Sequence, residues 1–137
     1  MMNTTSVYEG YQMINTVLQY FKDFSNQNLE GLADSFADDI HLCDWNIDVE
    51  GKENVLGAIK DIYSNVKYVT VKPVYFYSND KDWFACEIVI DGENAEAKQE
   101  IDDDGNTQMT LTWSLEVVDV IHINKEGKIT SIKAYKR

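Results

Sequence analysis

The sequence predicts one α+β domain in which three N-terminal helices lie on one face of a curved antiparallel sheet, with a concave pocket between the helices and the sheet. Apolar residues recur at helical spacing in the first half of the chain and at every second position in the second half, which is typical of helices followed by hairpin-connected strands. The chain has 137 residues, of which 44% are hydrophobic, so we expect residues 1–137 to form a single domain with its own core.

Three helices are predicted before the strand-rich half. The first spans about residues 6–24, and Tyr20 lies at the edge of its apolar face. After it, Asn28 can cap a short second helix, since an Asn side chain accepts a hydrogen bond from a free amide of the first turn. A third helix is predicted at about residues 53–65. The apolar face of the first helix consists of Ile14, Val17, Leu18, Phe21 and Phe24.

The strands are predicted from alternating apolar residues, and the later ones follow one another in hairpins. Pro73 lies inside one strand and indicates an edge position or a bulge, because proline has no N–H to donate to a neighbouring strand. Residues 48–52 are interpreted as a loop. The acidic residues 92–106 are interpreted as an insertion, in which 95–101 are either extended or loosely structured. The predicted strands are 40–44, 68–77, 83–90, 107–124 and 129–135.

The charge of the chain restricts its partners. It carries 24 acidic and 12 basic side chains, for a formal net charge of -12. DNA, RNA and anionic membranes would be repelled, because binding to them requires clustered Lys and Arg. An apolar or neutral small molecule is the compatible ligand, and a basic protein is an alternative partner. Solubility alone would also account for the charge.

The cysteines and the first residues of the chain indicate its chemistry and location. Cys43 and Cys86 do not form a metal-binding spacing with each other or with histidine, and we expect neither a metal nor a cofactor. The N-terminal residues lack the basic and apolar regions of a signal peptide, and no apolar run is long enough to span a membrane. These features predict a cytoplasmic protein with reduced thiols.

The clearest chemical signal is an aspartate on the apolar face of the predicted strand 107–124. Successive strand residues point to opposite faces, and Asp119 interrupts the face that must be buried. No arginine or lysine lies near it on that face, so a neutral carboxyl group with a raised pKa, able to donate a hydrogen bond, is expected. The alternative is a structural aspartate bonded to a tyrosine hydroxyl or to backbone amides. The apolar residues of this face are Leu111, Trp113, Leu115, Val117, Ile121 and Ile123.

The other candidates are weaker when each is taken alone. Asp44 ends a strand at the start of a loop, where a carboxylate can act as a general base or simply bind nearby amides. Tyr20 can hold its hydroxyl near a polar group, although a core tyrosine has the same pattern. His41 and His122 point outward by alternation, so neither is assigned a role. Residues 102–104 form an acidic turn in which loose cation binding is less favoured than simple solvation.

Three segments carry a family resemblance: residues 32–40 after the first helix, 51–53 at the start of the third, and 118–129 near the last turn. On these segments the chain resembles the nuclear transport factor 2-like superfamily across nearly its whole length. The resemblance implies the cone-shaped fold. It also implies a homodimer that pairs through the outer faces of the sheets, for which Val118 and Val120 would supply an apolar patch.

Within that superfamily, the chain looks most like the ketosteroid isomerase-related branch. By this resemblance Asp44 stands where the isomerase has its general base. Tyr20 and Asp119 stand where it has the two donors of its oxyanion hole, and that enzyme is an established example of a carboxylic acid kept neutral to donate a hydrogen bond. Trp45 follows the base, whereas the isomerases tend to have proline there.

The residues and the resemblance together predict a small-molecule enzyme, either an isomerase or a cyclase, that moves a proton next to a carbonyl without a cofactor. The SnoaL-like polyketide cyclases share the fold and also use an aspartate base. The limonene epoxide hydrolase branch uses an Asp-Arg-Asp site, and it is disfavoured because Arg137 is the only arginine in the chain. The alternative function is a non-catalytic ligand-binding or protein-interaction domain of the same fold.

Overall fold

The structure is a computed structural model that describes the backbone of residues 4–137 and the side chains of residues 12–97, 99, 101–107 and 111–137. The described chain forms three helices and six strands. The helices are α1 (Thr4–Ser25), α2 (Leu29–Ser35) and α3 (Lys52–Ser64). The strands are β1 (Phe36–Cys43), β2 (Asp48–Glu50), β3 (Val66–Ser78), β4 (Trp83–Ile101), β5 (Thr107–Ile123) and β6 (Ile129–Lys136).

The strands form one curved, unclosed sheet in the order β2-β1-β6-β5-β4-β3. Its neighbouring strands are antiparallel, as predicted, except for β1 and β6, which run parallel. The sheet is therefore mixed: the predicted α+β architecture with a curved sheet is confirmed, and the pairing differs from the predicted antiparallel one at the β1–β6 pair. Parallel neighbours need a long crossover connection. Here the connection from β1 to β6 contains helix α3 and the strands β3 to β5. Local alternation of apolar residues cannot reveal such a pairing, because the two strands are far apart in the sequence.

Helix α1 packs against β3 and α2 and buries one of its faces. Val17, Tyr20 and Phe21 are almost fully buried, whereas Leu18, which was predicted on the apolar face, is 39% exposed. Positions three and four residues apart share a helix face, so Tyr20 belongs with Val17 and Phe24 rather than at the edge. The tyrosine consequently lies in the middle of the buried stripe.

Two short elements follow α1. Asn28 caps α2 as predicted, because its Oδ1 accepts a hydrogen bond from the Gly31 N–H at 3.1 Å. Residues 48–50, predicted as a loop, instead form the short strand β2, in which Val49 is paired with Leu42 of β1. A strand of three residues carries too little alternation to be recognised, and its formation depends on the partner strand.

The structure decides two alternatives that the sequence left open: whether Pro73 marks a sheet edge or a bulge, and whether residues 95–101 are extended. Strand β3 is an edge strand, and its register with β4 also shifts between Pro73 and Tyr75, so the proline marks both an edge and a bulge. Residues 95–101 are extended and belong to β4. The β4–β5 register shifts between Glu93 and Lys98, and every side chain described between 95 and 107 is exposed.

Strand β5 has the predicted orientation. Asp119 is buried on the inner face, and the residues of the opposite face at 112, 114 and 116 are exposed. Three residues predicted to be buried are only half-buried, because they lie toward the exposed part of the hairpin: Leu111, Trp113 and Leu115. Buried with Asp119 are Val117, Ile121 and Ile123.

None of the helices in the described part of the chain is long and apolar enough to cross a membrane.

Candidate functional site

Asp119 lies in the central part of the sheet, between its neighbours on two strands. Its Cα partners are Cys86 on β4 and Ala134 on β6, so its side chain points to the same inner face as theirs. The residue is 5% exposed and is surrounded by apolar core residues from the same strand and its neighbours. The sequence therefore located this carboxyl group correctly on the buried face.

The surroundings of Asp119 favour its neutral form. Its pKa is raised from 3.8 to about 7, first by burial and second by the negative charge of Asp44. None of the residues with described side chains forms a salt bridge or a hydrogen bond with the Asp119 carboxyl group. The expectation of a carboxyl group without a cationic partner agrees with this environment. The alternative of an aspartate held by a tyrosine hydroxyl or by amides is not what the described contacts show.

Tyr20 approaches this region from helix α1. The ring is held by other aromatic rings, with centroids 6.1 Å away at Phe24 and 6.0 Å away at Phe36. The pKa of Tyr20 is raised well above its ordinary value, first by burial and then by the charges of Asp119, Tyr63 and Asp44. A phenol in this environment keeps its proton at neutral pH and remains a hydrogen-bond donor.

The polar groups of Tyr20 and Asp119 lack hydrogen-bond partners in the described part of the chain. Among the described residues, every fully buried side-chain nitrogen or oxygen atom has a hydrogen-bond partner. Neither the Tyr20 hydroxyl nor the Asp119 carboxyl group has such a partner in the described chain, so their oxygens are not fully enclosed by protein. The Tyr20 hydroxyl group, and the Asp119 carboxyl group in its protonated form, each carry a hydrogen that can be donated.

Asp44 stands directly after β1, at the start of the turn that leads to β2. Its Oδ1 accepts hydrogen bonds from the N–H groups of Asn46, at 2.7 Å, and Ile47, at 2.6 Å. These bonds fix the carboxylate, as expected for an aspartate that begins a loop. They leave Oδ2 without a hydrogen-bond partner among the described residues. Because its charge raises the pKa of both Asp119 and Tyr20, the structure brings these three side chains into one electrostatic environment.

A cleft of about 260 Å³ lies beside Asp44, where β6 extends past the end of β1. We call it the mouth cleft. Lys136 holds its Nζ over the ring of Trp45, 5.5 Å from the centroid. Sequence reasoning noted Trp45 only as a departure from the isomerases and missed Lys136, although alternation on β6 places it on the same face as Ala134. The residues that line the mouth cleft are Cys43, Asp44, Trp45, Lys133, Ala134, Tyr135 and Lys136.

The two histidines lie away from this site and join loops to strands. His122 Nε2 is 2.9 Å from the Asp82 Oδ2 atom, and its Nδ1 contacts the Thr130 hydroxyl. The pKa of Asp82 is lowered, first by its hydrogen bond with Asn79 and then by His122. His41 forms the corresponding pair with Asp48 on β2. These contacts tie the β3–β4 turn and strand β2 to the sheet.

The acidic turn at 102–104 is organised by its own backbone. The Asp102 Oδ1 accepts hydrogen bonds from the N–H groups of Asp104, at 3.1 Å, and Asn106, at 2.8 Å. Among the described residues, no cluster of three or more His, Cys, Asp or Glu side chains has the arrangement to hold a metal ion. The free thiols of Cys43 and Cys86 lie on different strands, and burial raises the pKa of Cys86 to about 12.

Comparison with known proteins places this arrangement in a family. The sequence pattern of the SnoaL-like domain matches residues 17–132. None of the curated proteins compared with the chain matches it.

Solved structures share the fold at low sequence identity. A protein of Catenulispora acidiphila with a ketosteroid isomerase-like fold, in complex with trimethylamine, is 19% identical, with a TM-score of 0.72 over 88% of this chain and 83% of its own. A limonene epoxide hydrolase-like (LEH-like) enzyme of Mycobacterium tuberculosis is 13% identical, with a TM-score of 0.73 over 93% and 79%. The epoxide hydrolase/cyclase-like enzyme SalBIII, which acts in pyran ring formation in salinomycin, is 17% identical, with a TM-score of 0.72 over 93% and 92%. At these identities the comparison shows the fold alone.

Proposed function

Because this chain belongs to the SnoaL-like domain family of the nuclear transport factor 2-like superfamily, we propose that it is a small-molecule enzyme that moves a proton next to a carbonyl group. The activity would be that of an isomerase or a cyclase. The observation that supports the proposal is that the charge of Asp44 raises the pKa of both Tyr20 and Asp119, whose oxygens have no hydrogen-bond partner among the described residues. A base and two neutral donors are the groups that an enolisation requires.

In the proposed reaction, the Asp44 carboxylate removes a proton from the carbon next to the carbonyl group. The electron pair of the broken C–H bond moves into the π system, and the carbonyl oxygen becomes an enolate or dienolate oxygen. Tyr20 and neutral Asp119 donate hydrogen bonds to that oxygen, where negative charge develops in the transition state. Asp44 then returns the proton to another carbon of the conjugated system. In a cyclase, the enolate carbon would instead attack a second carbonyl carbon of the same molecule, whose C=O π bond breaks, and the new alkoxide oxygen would take the proton from Asp44.

The charge of Asp44 has two roles in this mechanism. As a carboxylate it is the proton acceptor, and its charge also helps to keep Asp119 neutral. When one of two nearby carboxyl groups is buried and the other is exposed to solvent, their pKa values move apart. The buried group then holds a proton and can donate, while the exposed group is ionised and can act as a base. The two aspartates are therefore proposed to act as a pair, one charged and one neutral.

A second candidate function is a non-catalytic ligand-binding or interaction domain of the same fold. The two amide hydrogen bonds to Asp44 are compatible with this alternative, because an aspartate that only shapes a loop would make the same bonds. The proposed ligand in either case is an apolar or neutral small molecule at the inner site. We also propose a homodimer through the outer face of the sheet and a cytoplasmic location, without nucleic acid or membrane partners.

The experiment that tests the proposal is a fluorescence titration with a planar phenol, 2-naphthol, because a phenolate resembles the enolate in shape and charge. Wild type should bind it, and Asp44→Ala should keep binding while losing turnover of a β,γ-unsaturated ketone to its conjugated isomer. Asp119→Ala should lower the rate by about 2 to 4 kcal/mol of barrier, and Asp119→Asn by less, since the amide keeps a donor. Asp39→Ala, which removes an exposed carboxylate, is the matched control.

Two results would contradict the proposal. If wild type binds neither the phenol nor an enone, the enzyme proposal fails and the interaction-domain proposal stands. If the phenol binds but Asp44→Ala retains full proton exchange, the site is a ligand site and Asp44 is not its base.

A further inference from the structure

A polar cleft of about 490 Å³ lies on the outer face of the sheet, where strands β3, β4 and β5 run side by side. We call it the outer cleft. Neighbouring residues such as Val69 and Leu115 contact the core, so the side chains of the cleft face outward by alternation. The volume is within the roughly 300 to 1,000 Å³ of small-molecule sites in proteins. The outward side chains that line the outer cleft are Tyr68, Thr70, Lys72, Asp91, Thr112 and Ser114.

The strand registers place these side chains in one compact group. Thr70 is the Cα partner of Asp91 on β4, and Asp91 is the Cα partner of Ser114 on β5, so the three form one row across the sheet. Tyr68 and Thr112 belong to the next row on the same face, because residues two apart on a strand point the same way. Diagonal neighbours between such rows are about 7 to 8 Å apart, so one small molecule can touch both rows.

Asp91 is the charged acceptor of the outer cleft. Ser114 donates a hydrogen bond to it, and the Lys72 Nζ lies 3.4 Å from its Oδ2 atom. The pKa of Asp91 is lowered, first by the hydrogen bond from Ser114 and further by Lys72, so the group is ionised at neutral pH. A carboxylate offers about four lone pairs, so it can accept further hydrogen bonds from a ligand. Because Lys72 and Asp91 carry opposite charges, the lining of the cleft is neutral as a whole.

An exposed aromatic ring and unused hydroxyl groups complete the outer cleft. Tyr68 is 43% exposed. In the part of the chain that the structure describes, the hydroxyl groups of Tyr68, Thr70 and Thr112 have no hydrogen-bond partner. Each hydroxyl group can both donate and accept a hydrogen bond. The cleft therefore offers an apolar ring face together with a carboxylate, an ammonium group and uncharged polar groups.

We propose that the outer cleft is a binding site for a neutral sugar. A pyranose has a face of C–H groups, which lies against the Tyr68 ring, and a rim of hydroxyl groups, which donate to Asp91 and accept from Lys72. The ring and the carboxylate stand in adjacent rows, and a single sugar ring with its hydroxyl groups spans that separation. One small molecule therefore uses both of the distinctive features of the cleft.

The charges and the polarity of the outer cleft disfavour other ligands. An anion would meet a lysine that is already paired, on a protein with a formal net charge of -12. A purely apolar ligand would cover Asp91 and the hydroxyl groups without replacing their hydrogen bonds to water, which is costly. The cleft is also separate from the proposed proton-transfer site, because Tyr20, Asp44 and Asp119 do not line it.

The test is an NMR titration of the full chain, labelled with ¹⁵N, with the methyl pyranosides of glucose, galactose and mannose as probes. At least one should bind with a dissociation constant on the order of 1 mM, since a single sugar in an open cleft makes few contacts. The amide signals that shift should belong to residues 68–72, 91–92 and 112–114. If no probe shifts any signal at about 20 mM, or if the shifts centre on inner-face residues, the inference is overturned.

Three variants test the two recognition groups with the probe that binds wild type. Tyr68→Ala should weaken binding by about 5- to 20-fold, because it removes the central ring contact. Tyr68→Phe keeps the ring and should stay within about twofold of wild type. Asp91→Asn should weaken binding by about 3- to 10-fold, because hydrogen bonds to a charged acceptor are roughly twice as strong as those to a neutral one.

The matched controls lie on the same face of the sheet but outside the outer cleft. Tyr75→Ala removes another exposed tyrosine of β3, and Glu116→Gln breaks a comparable surface ion pair, that with Arg137. Both should bind the probe as wild type does, and the amide spectrum of each variant establishes that it is folded. If Tyr68→Ala or Asp91→Asn binds as tightly as wild type, or if the controls lose as much affinity, the inference is overturned. The proposed reaction is judged separately, since none of these substitutions should change turnover of the β,γ-unsaturated ketone.

Discussion

Asp119 combines two properties that are costly together: it is buried, and it has no cationic partner in the described chain. An ionised carboxylate there would cost several kcal/mol, and burial followed by the charge of Asp44 raises the pKa of Asp119 to about 7, which favours the protonated form. Because part of the shift comes from Asp44, the two residues cannot be understood separately.

The raised pKa predicts a pH-dependent contribution to stability. Between pH 3.8 and about 7 the folded protein holds a proton on Asp119 that the unfolded chain has released, so stability must fall as the pH rises through this window. Asp119→Asn removes this dependence. The free energy of unfolding of the variant, relative to that of wild type, should therefore rise by an amount on the order of 4 kcal/mol from pH 4 to pH 8. Urea denaturation at several pH values measures it, with exposed Asp39→Asn as control. A difference that does not change with pH would contradict a raised pKa.

Tyr20→Phe should separate catalysis from stability. The hydroxyl group has no protein partner in the described chain, and the ring packing is kept, so the free energy of unfolding should change by about 1 kcal/mol or less. Turnover of the β,γ-unsaturated ketone should fall about 10²- to 10³-fold, as when one oxyanion donor is removed.

Tyr63→Phe is the matched control for this prediction. Its hydroxyl group donates to the Phe24 carbonyl oxygen at 2.7 Å, so its removal should cost about 1 to 3 kcal/mol of stability and leave the rate unchanged. The proposed role of Tyr20 is wrong if the two variants exchange these phenotypes.

Some residues of the candidate site could be predicted from the sequence, and others could not. Alternation alone placed Asp119 on a buried face, because a single polar residue in an apolar face stands out. Tyr20 and Asp44 were only weak candidates from their positions, since a tyrosine in a helix stripe and an aspartate before a loop are common in any fold, and their roles came from the family resemblance. Lys136, which lines the mouth cleft, was missed because a lysine near the end of a strand looks like an ordinary solvated residue until the neighbouring strand is known to stop beside it.

Among the elements, local signals were reliable and nonlocal ones were not. The cap at Asn28 and the interruption at Pro73 depend on the chemistry of single residues, and both were confirmed. The parallel β1–β6 pair and the short strand β2 depend on segments far apart in sequence, and both were missed. The extension of β4 through 95–101 was undecided because described side chains on both of its faces are exposed, which leaves no alternation to detect.

The β4–β5 hairpin offers a test of its packing at Gly92. A Cβ atom there would lie 2.2 Å from the Trp113 Cζ2 atom, and the Trp113 indole is also held by a hydrogen bond to the Asn94 Oδ1 at 3.0 Å. Gly92→Ala should therefore destabilise the protein by about 1 to 3 kcal/mol. Gly57→Ala, in α3 with nothing within 4 Å, should stabilise it by about 1 kcal/mol. Thermal unfolding compares the two, and equal effects would show that the indole moves aside freely.

At the scale of the whole molecule, the outer face of the sheet carries the features of a self-association surface. Val118 is half-buried between its strand neighbours Glu87 and Tyr135, and Tyr135 is 59% exposed. Tyr75 and Tyr77 on the edge strand β3 are 61% and 56% exposed. Clustered exposed aromatics of this kind mark interfaces in soluble proteins. They extend the apolar patch expected from the sequence.

Val118→Lys tests the proposed homodimer. It places a charge in the middle of the patch, so the dimer should dissociate while the fold survives, because the residue does not belong to the inner core. Light scattering at micromolar concentration should show a dimer for wild type and a monomer for the variant. Gly57→Lys, which adds the same charge on α3, should remain dimeric. A wild type that is monomeric under these conditions would refute the proposal.

The position of β6 in the sheet has a consequence for how the protein is made. This strand is the last of the described elements in the chain, yet it lies between β1 and β5 and joins β1–β2 to the β3–β5 meander. A nascent chain that has not yet released residues 129–136 from the ribosome lacks the strand that pairs with both β1 and β5, so the sheet is divided into β1–β2 and the β3–β5 meander, and packing on the helices alone connects the two parts. The domain should therefore fold only after nearly all of its residues are synthesised, and its first folding event on the ribosome should be late and abrupt.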